Sequence, residues 1–227
     1  MDEELEKTEL ERKERREKHL KAVGLIEDLI QGTLFKHTAD TIAKPDFAMY
    51  SAGARVITKL TSPSYLPQTG SFLGKLAQVF GINTRKNGNP PAIAMDPDTH
   101  LGRCWAFPGS QGQLTIQLSR TINATDFTIE HVDQQVAIDL RSAPKNIEVY
   151  GFIHEPTDSV EDDLEEYNRF LLGRFEFDPK EHPIQTFSAI SERQVKYVQL
   201  RVLSNHGHPD FTCIYRFRVH GKLNEED

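Results

Sequence analysis

Downstream of Pro45 the apolar residues of this chain recur at every second position, and that period constrains the fold more than any other feature of the sequence. Leu114, Ile116 and Leu118 alternate with polar residues. Phe127, Ile129 and His131 do the same, Val198, Leu200 and Val202 repeat the pattern, and Cys213, Tyr215, Phe217 and Val219 close it. Side chains two apart on an extended strand share a face, so each run buries one side and wets the other. The runs are short, end at Gly, Pro, Asn and Asp, and have no helical period between them, which predicts a mainly β chain folded as an antiparallel, jelly-roll-like sandwich. From Glu155 to Glu166 the sequence EPTDSVEDDLEE interrupts the series. It lacks the glycine and closing glutamate of an EF-hand loop and reads as a solvated acidic connection.

Upstream of Pro45 the pattern is helical. Between Asp2 and Lys18, 14 residues are charged and none is Gly or Pro, as suits a solvated helix with pairs such as Glu11 and Arg15 one turn apart. Leu20, Val23, Ile26, Ile30 and Leu34 then recur at helical spacing beside Leu25 and Leu29, with Gly24 and Gly32 as local weak points. Such a face must be covered, by the folded domain or by copies of the same helix; the charged lead-in favours copies. The expected organisation is a helical coiled-coil segment over 1–44 and a β-sandwich over 45–227.

Charge and hydropathy exclude several functions. A formal net charge of −7 gives no broad attraction to nucleic acid or anionic membrane surfaces. No run approaches the roughly 18 apolar residues of a membrane span, and the start lacks the pattern of a signal peptide, so the chain reads as soluble or cut from something longer.

The stretch HLGRCWAFPGSQGQLTIQL, residues 100–118, holds Cys104 beside the only tryptophan, Trp105. Cys104 and Cys213 lack the CxxC pairing or ordered histidine spacing of a zinc site. A nucleophilic Cys104 with His100 or His131 as base has no supporting signature, since PGSQG carries Pro108 where a nucleophile elbow needs glycine. Each cysteine lies at or beside an apolar strand, which leaves one bridge or two buried thiols.

Several stretches together resemble the SUN domain of inner nuclear membrane proteins. These are DFAMYSAGARVI (46–57), the segment around Cys104, INATDFTIEHV (122–132), SAPKNIEVYGF (142–152), PIQTFSA (183–189) and above all SNHGHPDFTCIYRFRVHG (204–221). The resemblance runs in order from Asp46 to Gly221. It implies a sandwich at the end of a trimerising coiled coil, placed in the perinuclear space, that binds the C-terminal tails of KASH proteins and links nucleoskeleton to cytoskeleton. Membrane attachment would then come through an upstream segment absent here.

The resemblance also implies site residues. Cys104 and Cys213 are the bridged pair. IAMDPDTHLGRC, 93–104, is similar to a loop whose backbone carbonyls hold a monovalent cation, with potassium the implied ion; by position the donors are Ile93, Asp96, Asp98, Arg103 and Tyr215. The segment of about 62–91 corresponds to the KASH lid, with Phe72, Leu73, Leu76, Val79 and Phe80 as its apolar residues, trapping the tail as an added strand. The pocket for the tail's terminal carboxylate maps onto Ser142, His131, Tyr215 and Phe211.

Two positions depart from the family pattern. Phe211 stands where a tyrosine is common, which removes one hydroxyl. Thr61 stands where many relatives carry a cysteine that couples covalently to the tail, so coupling here is expected to be noncovalent. Asn123-Ala124-Thr125 is a glycosylation sequon that a lumenal compartment could use.

No catalytic residue is expected. The competing reading is a carbohydrate- or ligand-binding jelly-roll, for which Trp105 and the loop carboxylates are the only suited features. A hydrolase would have only Cys104 and scattered histidines behind it.

Overall fold

The computed structural model describes residues 42–66, 88–156, 169–190 and 193–223, with the single positions Arg16 and Lys21, both helical and exposed. Two compact units divide the chain, Met1–Lys44 and Pro45–Asp227, and the elements below belong to the second. The rest of the expected helical segment, the lid residues Phe72, Leu73, Leu76, Val79 and Phe80, and most of the acidic stretch lie outside the described residues.

The described strands are β1 (Arg55–Val56), β2 (Trp105–Pro108), β3 (Gly112–Glu130), β4 (Asn146–Phe152), β5 (Phe170–Glu176), β6 (Ile184–Ser188), β7 (Gln194–Val202), β8 (Phe211–Ile214) and β9 (Arg216–Leu223). All their pairings are antiparallel. β3 is shared between two groups of strands. Its first half pairs with β1 and β7, which continues to β4 and β5; its second half lies between β6 and β9. β2 and β8 form a separate two-stranded ribbon.

The two runs expected at 114–118 and 127–131 are therefore parts of one strand, and the sequence shows how it turns. Leu114, Ile116, Leu118, Ile122 and Ala124 are buried at even positions, whereas Phe127 and Ile129 are buried at odd ones. The phase flips where the register with β9 shifts between Ala124 and Asp126. One extra residue in a strand reverses which side every later side chain faces, so β3 serves the core from both halves. Val149, Val198, Leu200, Phe217 and Val219 meet these residues in one continuous apolar cluster.

A buried charged group lies at the end of β3. Arg216 reaches Asp46 Oδ2 at 3.1 Å and Glu130 Oε1 at 3.4 Å, and Arg218 Nε pairs with the same Glu130 oxygen. These side chains are 6% exposed or less. Asp46 Oδ1 also accepts from the N–H groups of Ala48 and Val219, and His220 Nδ1 donates to Pro45 O at 2.8 Å. The start of the sandwich is thereby fastened to β9.

Candidate functional site

The signature SNHGHPDFTC gains its physical meaning in the loop that leads into β8. The Asn205 amide donates to His208 O at 2.9 Å and to Thr212 Oγ1 at 3.1 Å, and its oxygen accepts from Gly207 N–H. His208 Nδ1 accepts from the N–H of Asp210 and Phe211. Side chains that satisfy backbone groups in this way fix a loop without regular structure. They set Phe211 at the start of β8, packed on Tyr65 with ring centroids 5.0 Å apart.

Cys104 and Cys213 are bridged, with a Cα–Cα separation of 5.8 Å, well within disulfide range. Ala106 and Cys213 are opposite partners in the β2–β8 ribbon, which brings Cys104 alongside. With its sulfur bonded, Cys104 is not a nucleophile. The bridge forms a second, smaller apolar cluster with Val132 and Tyr215, separate from the main core.

That cluster floors a half-open cavity of about 440 Å³. His131, Ser142, Phe211 and Tyr215 all line it, from four separate segments: the end of β3, the 3₁₀ turn Leu140–Ser142, β8, and the break between β8 and β9. The Tyr215 hydroxyl accepts from Gly102 N–H at 3.3 Å, which leaves its own proton to donate. Burial pushes that phenol above its ordinary pKa, so the proton stays. Ser142 Oγ donates to Asp139 O at 3.0 Å. His131 Nδ1 lies 3.0 Å from Val132 O, while its buried Nε2 has no partner. Burial lowers the pKa of His131, which favours the neutral ring.

Sequence reasoning missed several residues of this cavity. Tyr65, Asn89 and Asp139 also line it. Asp139 accepts from Arg141 N–H as a cap of the 3₁₀ turn and pairs with the Arg141 guanidinium at 2.7 Å. That pairing holds the carboxyl at a pKa of about 2 and offsets its charge at the rim. An Asp-x-Arg-Ser turn signal is visible in the sequence, but nothing there points it at a pocket.

Residues 64–65 and 88–89 meet beside the cavity. Tyr65 N–H donates to Ala106 O at 2.7 Å, and Ser64 Oγ donates to Asn89 O at 2.9 Å. Asn89 in turn donates to Cys104 O at 2.8 Å. Gly88 passes so close that a Cβ there would lie 2.3 Å from Tyr65 O, so the return requires glycine.

The expected cation loop begins as a 3₁₀ turn, Pro91–Met95, and closes on itself through polar side chains. Asp96 Oδ1 accepts from Asp98 N–H, Arg103 donates to Asp96 Oδ2 at 2.9 Å, and His100 contacts Asp98. Arg103 Nε approaches Asp98 Oδ2 at 2.7 Å without the alignment of a hydrogen bond. Ile93 O accepts from Asp96 N–H. Tyr215 stands in the break between two strands, tied to the loop through Gly102. Among the described residues no group of three or more His, Cys, Asp or Glu side chains could hold a metal, which leaves carbonyl oxygens as the donors to consider.

Three further positions find their places. Trp105 is fully buried and packs on Phe107 at 5.1 Å, so it presents no ring to a sugar. Asn123 is half-buried inside β3, opposite Gln194 and Lys222, rather than in a surface loop. Thr61 donates to Ile57 O and accepts from Thr115 N–H, anchoring the chain before the 67–87 segment.

An antiparallel β-sandwich with an apolar cleft at one end, and a few polar groups converging on it, is a binding module of the jelly-roll class. The family model described as Sad1 / UNC-like C-terminal matches residues 84–223, and the chain belongs to that family, the SUN domains. SUN domain-containing protein 2 of Mus musculus is 37% identical over 208 residues, covering 88% of this chain and 26% of the mouse protein. SUN domain-containing protein 3 of Mus musculus is 39% identical over 198 residues, covering 86% of this chain and 58% of its own length. The chain thus spans about a quarter to just over half of these relatives. The family 32 carbohydrate-binding module of Streptococcus pneumoniae EndoD superimposes with a TM-score of 0.51 at 14% identity, over 78% of this chain and all of the module, a likeness of fold alone.

Proposed function

We propose that the cavity beside the Cys104–Cys213 bridge binds the free C-terminus of a KASH-protein tail, and that the domain does so in the perinuclear space as one end of a bridge across the nuclear envelope. The observation that carries this reading is the convergence of Ser142, His131, Tyr215 and Phe211 on one apolar cavity. A terminal carboxylate desolvated there needs donors; the Tyr215 hydroxyl has a free proton for it, and the Ser142 hydroxyl can serve by exchanging Asp139 O for the carboxylate. Ser64 and Asn89, near the two ends of the 62–91 stretch, are hydrogen-bonded beside the cavity, which supports a role for that stretch as the lid that holds the tail as an added strand. The bridge itself suits an oxidising compartment such as the perinuclear lumen.

The 93–104 loop fits a monovalent cation, potassium, held by the carbonyls of Ile93, Asp96, Asp98, Arg103 and Tyr215. Uncharged carbonyl donors suit a large, weakly held ion, and the Gly102 contact to Tyr215 draws the loop end toward the last of them. Such an ion would stiffen the loop that forms one wall of the cavity. It supplies structure, not catalysis.

The assembly is a homotrimer through the helical segment over 1–44, since a lid completes a groove only against a neighbouring protomer. Mixing the protein with a synthetic KASH tail and measuring mass in solution tests the whole reading. Tail bound to a trimer is the expected result; a monomer that binds the tail at full strength would contradict the coupling of assembly to recognition.

A further inference from the structure

Asn123-Ala124-Thr125 is the only Asn-x-Ser/Thr sequon in the 227 residues, and tail binding gives it no role. The fold decides whether it can carry anything. Ile122 and Ala124, on either side of Asn123 in β3, are fully buried in the main core. Successive side chains on a strand point to opposite faces, so Asn123 belongs to the outer face of the sheet. Its direct cross-strand neighbours share that face: Gln194, the first residue of β7, and Lys222, the last but one of β9. Both are exposed, as is Arg193 beside them. Asn123 thus sits among polar, solvated side chains where two flanking strands begin and end.

An N-linked oligosaccharide is bulky and polar, so a folded domain carries one only where the asparagine faces solvent. It must also stay clear of the binding site. His131, just past the end of β3, follows Asn123 by eight positions, which is about 25 Å along an extended strand at roughly 3.3 Å per residue. We infer that Asn123 carries an N-linked oligosaccharide on the outer face of the sandwich, acquired as the chain enters the lumen. The donor is an oligosaccharide linked to a polyprenyl diphosphate: Asn123 Nδ2 forms the bond to the sugar C1, the C1–oxygen bond to the lipid diphosphate breaks, and one amide proton goes to solvent. This rests on the perinuclear placement proposed above and goes beyond it by naming the modified residue.

The test expresses the full chain in a eukaryotic cell behind an added signal sequence, which delivers it to the lumen. Intact mass is measured before and after treatment with peptide N-glycosidase. The wild-type chain should carry the excess mass of one oligosaccharide, lost on treatment, and the asparagine-to-aspartate conversion that the enzyme leaves should map to position 123. Asn123→Gln should lack the excess, and so should Thr125→Ala, which keeps the asparagine but removes the sequon hydroxyl. The readout is the mass of the chain, so neither variant needs to fold. A wild-type chain recovered without the excess would overturn the inference, as would an excess that persists in Asn123→Gln. The protein attached to its own membrane separates this from the perinuclear reading: a chain modified behind the added signal but bare in that setting would defeat the lumenal placement and leave Asn123 a competent acceptor. Glycosylated and enzyme-treated protein should bind a synthetic KASH tail within about twofold of each other, as sites this far apart act independently. A tenfold difference would put the oligosaccharide at the cavity and contradict the separation.

Discussion

Tyr215 carries the heaviest load of any single residue in the proposed site. Its hydroxyl has a proton to spare, burial keeps it protonated, and Phe211, which lines the same cavity, has no hydroxyl to share the load. Tyr215→Phe should weaken tail binding by about 1–3 kcal/mol, read by calorimetry, and Phe211→Tyr should recover part of it if the new hydroxyl reaches the carboxylate. Asp139 makes a prediction in pH. Its carboxyl is lowered from 3.8 to about 2 in the fold, so its pairing with Arg141 is fully present above 3.8 and is lost as pH falls through about 2. Carbon-detected NMR of the side chain should show that midpoint in the protein and lose it in Arg141→Ala. Why alternation alone could not find these residues is a matter of position. Cys213, Tyr215, Phe217 and Val219 share one phase, yet the first two belong to the cavity cluster and the last two to the main core. The break at Tyr215 splits the run, and only the resemblance to relatives pointed to it.

Among the elements, β3 was legible in pieces and the charged group beside it was not. Its apolar runs were plain, but their join depends on a bulge at Ala124–Asp126 that no residue type announces. The buried ions were hidden for another reason: Asp46 lies far in sequence from Glu130, Arg216 and Arg218, and only folding brings the charges together. Glu130→Gln strands two buried guanidinium groups with less compensation and should cost about 3–5 kcal/mol in chemical denaturation. Reducing the Cys104–Cys213 bridge releases a loop of sequence separation 109, worth up to about 4–5 kcal/mol in the chain-entropy picture. Denaturation midpoints with and without a dithiol reductant check that value. Ser64 and Asn89 are hydrogen-bonded, so a short Gly-Ser connection in place of 67–87 should leave the thermal transition nearly unchanged and abolish tail binding.

At the scale of the whole molecule, the sandwich, the bridge and the family were all legible from sequence, because short alternating runs and rare signatures such as SNHGHPDFTC survive without knowledge of contacts. The cavity was legible only as a set of residues; its mouth at Tyr65 and Asn89 and the orphan His131 nitrogen required the fold. The central claim is that this cavity reads the free end of a polypeptide. Calorimetry of the protein with one KASH tail in three forms, free acid, carboxamide and a version extended by one residue, tests it. The acid should bind and the other two should lose about 2–5 kcal/mol, since each denies the hydroxyls a terminal carboxylate in place. Equal affinity for all three forms would contradict it.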